Sequence, residues 1–179
     1  MPGYYDFKDI EIEEETEGQK RARRIVKIIL GLLLVFLLIG FLIPYEIPAS
    51  LLEGKRLQDN QLIVNDVTII FAGNTYESLK SFYLKNQFSE VALCLTGEIN
   101  NKEYIINSFY QPKTFFQTPI SVNSQQCNKE TIITMHTHPF KNCLFSQQDI
   151  ISYNNYKKTN PNAITAIMCD TNRFAFYWI

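Results

Sequence analysis

The chain has 179 residues, of which 46% are apolar and 20% are charged, and its formal net charge is -1. This length allows one ordinary domain with an appended segment. The net charge near zero argues against a basic surface for nucleic acid, so no nucleic-acid partner is expected.

The first 24 residues form a tail in which acidic side chains precede basic ones. The acidic side chains are Asp6, Asp9, Glu11, Glu13, Glu14, Glu15 and Glu17. Such a density of like charge is typical of a solvated, disordered tail. A basic cluster follows at once, and it consists of Lys20, Arg21, Arg23, Arg24 and Lys27.

Residues 25–43, IVKIILGLLLVFLLIGFLI, are predicted to form a transmembrane helix. At ~1.5 Å per residue this helix would be roughly 28 Å long, which is close to the thickness of the hydrocarbon layer. A buried core helix would not be apolar on every face. A cleaved signal peptide is the other alternative, but the charged leader and the long apolar run favour an uncleaved anchor.

The basic residues also predict how the chain crosses the membrane. Five of them precede or open the span, whereas only Lys55 and Arg56 follow it closely. Because Lys and Arg are retained on the cytoplasmic side, the N-terminus should be cytoplasmic and the rest of the chain outside. The sequence therefore predicts a single-pass membrane protein.

Residues 44–61, which include two prolines and a glycine, are interpreted as a linker, and residues 62–179 as one folded domain. The run LIVNDVTIIF predicts two strands joined by a tight turn at Asn65 and Asp66. A helix is expected in NTYESLKSFYLKNQ, where Asn74 and Glu77 have the spacing of a capping box.

The remainder of the domain is predicted to be mostly strands. They are expected at Glu90–Ile99, Glu103–Tyr110, Thr131–His138, Ala163–Asp170 and Arg173–Ile179, with a helix from about Gln147 to Lys157. This order of elements predicts an α/β sandwich around one mixed sheet.

The only two histidines of the chain lie in the segment TIITMHTHPFKNCLFSQQD. Side chains alternate along a strand, so His136 and His138 project to the same face and can approach one ion. Ser146 would cap the next helix and place Asp149 in its first turn. Taken alone, Ser146 and Asp149 indicate only a capping pair. Together with the histidines they predict a catalytic site for one Zn²⁺, with two imidazoles, one carboxylate and an open position.

The segment HTHPFKNCLFSQQD resembles the motif of the JAMM (MPN-plus) metalloproteases, which is His-x-His-Pro followed by Ser-x-x-Asp. The upstream glutamate of that family corresponds to Glu90 in SEVALCLTGEI, and Gly97 stands at the end of the same strand. The resemblance covers roughly residues 62–179. It implies a cytidine-deaminase-like fold.

The same resemblance implies zinc-dependent hydrolysis of isopeptide or peptide bonds at the C-terminus of ubiquitin or a ubiquitin-like protein. Bound zinc would lower the pKa of a water molecule from 15.7 toward ~7. Glu90 would carry a proton from this water to the leaving amine, and Ser146 would donate a hydrogen bond to the oxyanion. Glu130 shares the strand parity of His136 but would be roughly 20 Å away at ~3.3 Å per residue.

The four cysteines leave other interpretations open. Cys127 and Cys143 flank the histidines and could join them in a Cys2His2 site, although the spacing fits no compact zinc finger. Cys94 and Cys169 are interpreted as buried free thiols. A disulfide becomes possible if the domain lies outside the cell, but the sequence does not decide which cysteines pair.

Three other functions can be weighed against hydrolysis of ubiquitin-like conjugates. A base deaminase would need H-x-E and P-C-x-x-C, which the sequence lacks. A non-catalytic MPN scaffold generally lacks one or more metal ligands, and all of them are present here.

The length of the domain bears on its substrate. Only 20 residues separate Tyr110 from Thr131, which leaves little room for ubiquitin-binding insertions and favours a small modifier or an unfolded peptide tail. An extracytoplasmic zinc peptidase acting on other peptides is the main alternative, because ubiquitin-like conjugates are usually cytosolic.

Overall fold

The computed structural model describes residues 16–42 and 53–178, which belong to two separate units. The first unit contains a single helix, α1 (Glu17–Leu42), which includes the basic cluster. Its length and apolar composition are sufficient to cross a membrane. The helix begins upstream of the predicted start at residue 25. Residue 43, most of the acidic tail and residues 44–52 of the predicted linker lie outside the described residues.

The second unit is an α/β domain. Its elements in chain order are β1 (Lys55–Arg56), β2 (Gln61–Val64), β3 (Val67–Phe71), α2 (Thr75–Lys85), β4 (Ala92–Asn100), β5 (Glu103–Tyr110), β6 (Thr114–Thr118), β7 (Ser121–Ser124), β8 (Thr131–Thr137), α3 (Gln147–Lys157), β9 (Ile164–Asp170) and β10 (Arg173–Tyr177). Eight strands form one sheet in the order β1-β10-β9-β8-β4-β5-β3-β2, and β6 pairs with β7 in a separate hairpin.

The large sheet is mixed, as the sequence predicts. The pairs β8–β9 and β3–β5 are parallel, and the remaining neighbours in the sheet are antiparallel. The tight turn between β2 and β3 is also confirmed, with Asn65 in the left-handed region at φ 56°. Asn tolerates this conformation better than most residues do.

Two strand ends next to the histidines differ from prediction. β4 begins at Ala92 rather than Glu90, and β8 ends at Thr137 rather than His138. Glu90 and His138 therefore lie just beyond the paired segments, although their side chains are only 12% and 10% exposed. The helix predicted at Gln147–Lys157 is confirmed with the same bounds.

The sequence prediction missed three strands. β1 lies inside the predicted linker and pairs with β10, so the sheet begins before residue 62. β6 and β7 occupy the interval between Tyr110 and Thr131. The segment TFFQTPISVNS carried a usable signal, because β-branched and aromatic residues flank a turn at Pro119.

The start of α2 differs from the expected capping box. Asn74 occupies the N-cap position, but its side chain makes no capping hydrogen bond. The helix is held instead by packing, since Tyr76, Leu79 and Tyr83 are all buried in the main core. Tertiary burial commonly supplies most of a helix's stability.

The core occupies both faces of the sheet at β9. Ala166 and Met168 belong to the main cluster, whereas Ile167 and Cys169 belong to a second cluster with Cys143. Because alternate residues of a strand face opposite sides, β9 is covered on both. This burial makes β9 a fixed support for the adjacent end of β8.

All four cysteines are paired, as Cys94–Cys127 and Cys143–Cys169. The interpretation of Cys94 and Cys169 as free thiols is therefore wrong, and no cysteine is available for a Cys2His2 site. The paired residues are 33 and 26 positions apart. Such partners are brought together by the tertiary fold and cannot be chosen from spacing alone.

Gly97 lies at an irregularity of β4, where the register with β5 shifts. A Cβ atom at this position would lie 1.9 Å from the carbonyl oxygen of Ile105. Because that atom belongs to the backbone of the next strand, the clash cannot be relieved by turning a side chain.

We expect Gly97→Ala to lower the free energy of unfolding by about 1–3 kcal/mol, because the two strands must separate locally. Thermal unfolding of the full chain in detergent measures this effect through Trp178, the single tryptophan, which packs against the core. Gly18→Ala is the control, since nothing lies within 4 Å of its added Cβ. An unchanged midpoint for Gly97→Ala would contradict the close approach.

Candidate metal centre

The register of two central strands brings Glu90 opposite His138. Antiparallel pairing places Ala92 of β4 opposite His136 of β8. Continuing that register by two residues pairs Glu90 with His138, and both project to the face that carries His136. The structure thus joins positions that are far apart in the sequence.

Hydrogen bonds hold the strands together where the ladder ends. The Thr137 N–H donates to the Val91 carbonyl at 2.9 Å, and the Val91 N–H donates to Thr137 Oγ1 at 3.0 Å. The Glu90 N–H donates to the Thr118 carbonyl of the β6–β7 hairpin at 2.9 Å. The backbone of Glu90 and that of the following residue, Val91, are therefore both held by hydrogen bonds.

The three predicted metal ligands converge. His136 Nε2 lies 3.0 Å from His138 Nε2 and 3.4 Å from Asp149 Oδ1. All three candidate ligand atoms lie within 4.8 Å of one another. For comparison, ligand atoms at ~2.0–2.1 Å from a tetrahedral zinc ion are about 3.3 Å apart. This group could therefore hold a metal ion.

Asp149 uses its two carboxylate oxygens differently. Oδ2 accepts a hydrogen bond from the Ser146 N–H at 2.7 Å, and the Asp149 N–H donates to Ser146 Oγ at 3.2 Å, which completes a capping box at the start of α3. Oδ1 faces His136. Burial by itself would raise the pKa of Asp149, but hydrogen bonds and charge from His136, with hydrogen bonds from Ser146, lower it to about 2. The side chain is thus ionised, caps a helix and remains a candidate ligand through Oδ1.

The tautomer of His138 follows from its other ring nitrogen. Nδ1 lies 2.6 Å from the Asn142 carbonyl oxygen, which can only accept, so Nδ1 carries the proton. Burial and the nearby His136 lower the pKa of His138 to about 4, so the ring is neutral at pH 7. Nε2 therefore presents a lone pair to the cluster, which is the form that binds a metal.

Glu90 stands beside the three ligands. Its Oε1 lies 3.5 Å from His138 Nε2, and its side chain is 12% exposed. Because His138 is neutral, this contact is not an ion pair. Burial raises the pKa of Glu90 to about 7, while His136 opposes and Asp149 adds to this rise. A carboxyl group with such a pKa can both accept and release a proton near neutral pH.

The cluster opens into a cleft of about 1030 Å³. The residues that line the cleft come chiefly from the β6–β7 hairpin, the loop between β8 and α3, and α3 itself. Glu90 and Asp149 are the acidic residues among them, and none of the described lining residues is Lys or Arg. Ser146 also lines this cleft, whereas Glu130 is exposed and does not.

Comparisons with models of known protein families and with curated proteins find no match to this chain. The functional proposal below is therefore carried by the chemistry and geometry of the site.

Sequence reasoning missed the residues that support the ligands. Thr137 Oγ1 accepts a hydrogen bond from the Val91 N–H next to Glu90, the Asn142 carbonyl accepts one from His138, and the Tyr83 hydroxyl lies 3.3 Å from the His138 carbonyl oxygen. The Asn142 contact uses a backbone carbonyl, which no side-chain motif reveals. Tyr83 is separated from His138 by 55 positions, so only the fold shows their contact.

We expect the full-length protein, purified in detergent, to bind about one zinc ion per chain. His138→Ala should lose most of this metal, because it removes the ligand whose lone pair the structure directs at the cluster. Elemental analysis after dialysis measures the metal content. Glu130→Gln is the control, since Glu130 lies outside the cleft. Full metal content in His138→Ala would show that the ligand set is misassigned.

Proposed function

We propose that this chain is a membrane-anchored zinc metalloprotease that hydrolyses isopeptide or peptide bonds at the C-terminus of a ubiquitin-like modifier. The observation that carries the proposal is the convergence of His136, His138 and Asp149 next to the mostly shielded carboxyl group of Glu90. The JAMM-like motif supports the same reaction and a cytidine-deaminase-like fold for the domain. The mixed sheet with its two helices is compatible with that fold.

The donor set fits zinc. Two imidazole nitrogens and one carboxylate oxygen are the donors of many catalytic zinc sites, in which a fourth position remains open for water or substrate. A bound zinc ion would supply Lewis acidity, which activates water at neutral pH and polarises the scissile carbonyl group. His136, His138 and Asp149 would hold the ion.

Glu90 and Ser146 have separate roles in the proposed reaction. Glu90 takes a proton from the attacking water and delivers it to the leaving amine, because its carboxyl group lies beside the ligands and is shielded from solvent. Ser146 Oγ accepts the N-cap hydrogen bond, so its hydroxyl hydrogen remains available to the oxyanion that forms at the carbonyl.

The cleft suits an extended peptide. β7 pairs with β6 along one edge, and Ser121–Ser124 line the cleft. The opposite edge of β7 could bind an extended substrate chain through backbone hydrogen bonds. The cleft walls combine uncharged polar side chains with apolar ones such as Ile120 and Phe140. A flexible C-terminal tail fits this cleft better than a folded surface does.

A second candidate is an extracytoplasmic zinc peptidase that acts on other peptides. Two disulfides, Cys94–Cys127 and Cys143–Cys169, favour it, because disulfides persist in oxidising compartments and are rare in the cytosol. The excess of basic residues before the apolar span supports the same side of the membrane. Both candidates use the same metal centre and differ in substrate.

We expect Glu90→Gln to retain zinc but to lower turnover by a factor on the order of 10² or more, because the amide cannot carry the proton. The measurement is hydrolysis of fluorogenic peptides and ubiquitin-like fusions, with zinc content determined in parallel. Glu98→Gln is the control, since Glu98 is exposed and outside the cleft. An unaffected rate would remove Glu90 from the mechanism, and a wild type inactive on all substrates would favour a non-catalytic scaffold.

We expect protease added to intact cells or spheroplasts to digest the domain and leave the N-terminal tail protected, because the basic cluster should remain in the cytoplasm. An epitope tag before Met1 reports the location of the N-terminal tail, and a tag after Ile179 reports the location of the domain. A C-terminal tag that stays protected until the membrane is opened would place the domain in the cytosol. That result would also favour ubiquitin-like conjugates over the extracytoplasmic peptidase.

A further inference from the structure

His138 is held by contacts outside the metal cluster. Its Nδ1–H donates to the Asn142 carbonyl oxygen at 2.6 Å, and its backbone N–H donates to the Met168 carbonyl oxygen at 3.0 Å. In metal sites, a hydrogen bond to the second ring nitrogen fixes the tautomer and the ring orientation of the ligand. The location of the Asn142 carbonyl group therefore decides where His138 Nε2 points.

The loop that carries Asn142 is tied to β9 by a disulfide. Cys143, the next residue, is bonded to Cys169, and the two residues are 1% and 0% exposed. Cys169 directly follows Met168, which accepts the backbone hydrogen bond of His138. One end of β9 thus fixes both the backbone and the ring of His138.

Tyr83 of α2 supports the same end of β9. Its hydroxyl oxygen lies 3.1 Å from the Cys169 carbonyl oxygen and 3.3 Å from the His138 carbonyl oxygen. The side chain is 3% exposed, and burial raises the pKa of Tyr83 to about 12, so the hydroxyl remains a donor. Both carbonyl groups would lose a partner without it.

The backbone before β1 closes over the disulfide. A Cβ atom at Gly54 would lie 2.6 Å from Cys143 Sγ and 2.6 Å from carbons of the Arg173 side chain. There is therefore no free space on this side into which the Cys143 end of the loop could move. The loop is confined by covalent bonding and by packing.

We propose that the Cys143–Cys169 disulfide and the Tyr83 hydroxyl act as a positioning pair, which holds the Asn142 carbonyl against His138 Nδ1 and keeps Nε2 directed at the metal position. The inference rests on the proposed function for its effect on zinc affinity, whereas the tautomer of His138 is set by the Asn142 carbonyl in the metal-free protein as well. The disulfide and Tyr83 touch neither the reacting atoms nor the three ligand atoms, so they act through His138.

Two double variants test the role of the disulfide. Cys143→Ala/Cys169→Ala removes it, and Cys94→Ala/Cys127→Ala removes the other disulfide as a matched control. The closed loops are similar, with separations of 26 and 33 residues, so the two losses should destabilise the chain similarly. In competition with a chromophoric chelator, the first variant should bind zinc roughly tenfold to hundredfold more weakly, and the control should stay within about twofold of wild type.

The histidine tautomer provides a readout that needs no metal. Only two histidines occur in the chain, so nitrogen NMR of histidine-labelled full-length protein in detergent resolves each ring. Metal-free wild type should show His138 protonated at Nδ1, and the Cys143→Ala/Cys169→Ala variant should show a mixture of tautomers. Retention of the wild-type tautomer, or equal zinc affinity in both double variants, would overturn the proposal.

Tyr83→Phe tests the hydroxyl while keeping the buried ring. It should weaken zinc binding several-fold and partly change the tautomer of His138, and no change in either would exclude Tyr83 from the pair. If the Cys143→Ala/Cys169→Ala variant does not fold, the zinc affinity and the His138 tautomer of Tyr83→Phe decide the proposal alone. If wild type binds no zinc, the proposed function fails, whereas the tautomer comparison still decides this inference.

Discussion

The antiparallel register between β4 and β8 is the constraint on which the candidate site depends. It pairs Leu93 with Met135, two buried core residues, and so fixes Glu90 opposite His138, each three positions further along its segment. A slip of one residue would turn Glu90 to the opposite face of the sheet. Packing of apolar side chains in the sheet therefore sets the distance between the carboxyl group of Glu90 and the residues that could hold a metal ion.

The third candidate ligand depends on the start of a helix rather than on a strand. Asp149 satisfies the Ser146 N–H with one oxygen and faces His136 with the other. Helix capping and metal binding are therefore compatible uses of one carboxylate. The capping box also fixes the rotation of α3, because the side chain at its third position must reach back to the N-cap residue. Local helix chemistry thus orients a candidate ligand toward His136 in β8 and His138 just after it.

The disulfides connect the architecture of the domain with its proposed location. Cys143–Cys169 joins the loop after His138 to β9, and Cys94–Cys127 joins central strand β4 to the segment before β8. One bond lies before β8 and the other after it, so they enclose the segment that contains both histidines. Their presence and the basic cluster before the apolar helix are independent observations, and both favour a domain in an oxidising compartment. The proposed metal centre, whose surrounding segments are held by covalent links, suits that environment.

The sequence by itself determined the apolar helix, the mixed α/β class, the bounds of α3 and the grouping of His136 and His138. These features depend on local periodicity, since residues two apart share a strand face and residues near a helix start share its cap. Only the tertiary structure decided the strand order, the hairpin β6–β7 as a wall of the cleft, the disulfide pairing and the support that Asn142 and Tyr83 give to His138. Each of these joins segments that are distant in sequence or uses backbone atoms. The pattern of side chains along the chain does not show which of these distant segments lie close together in space.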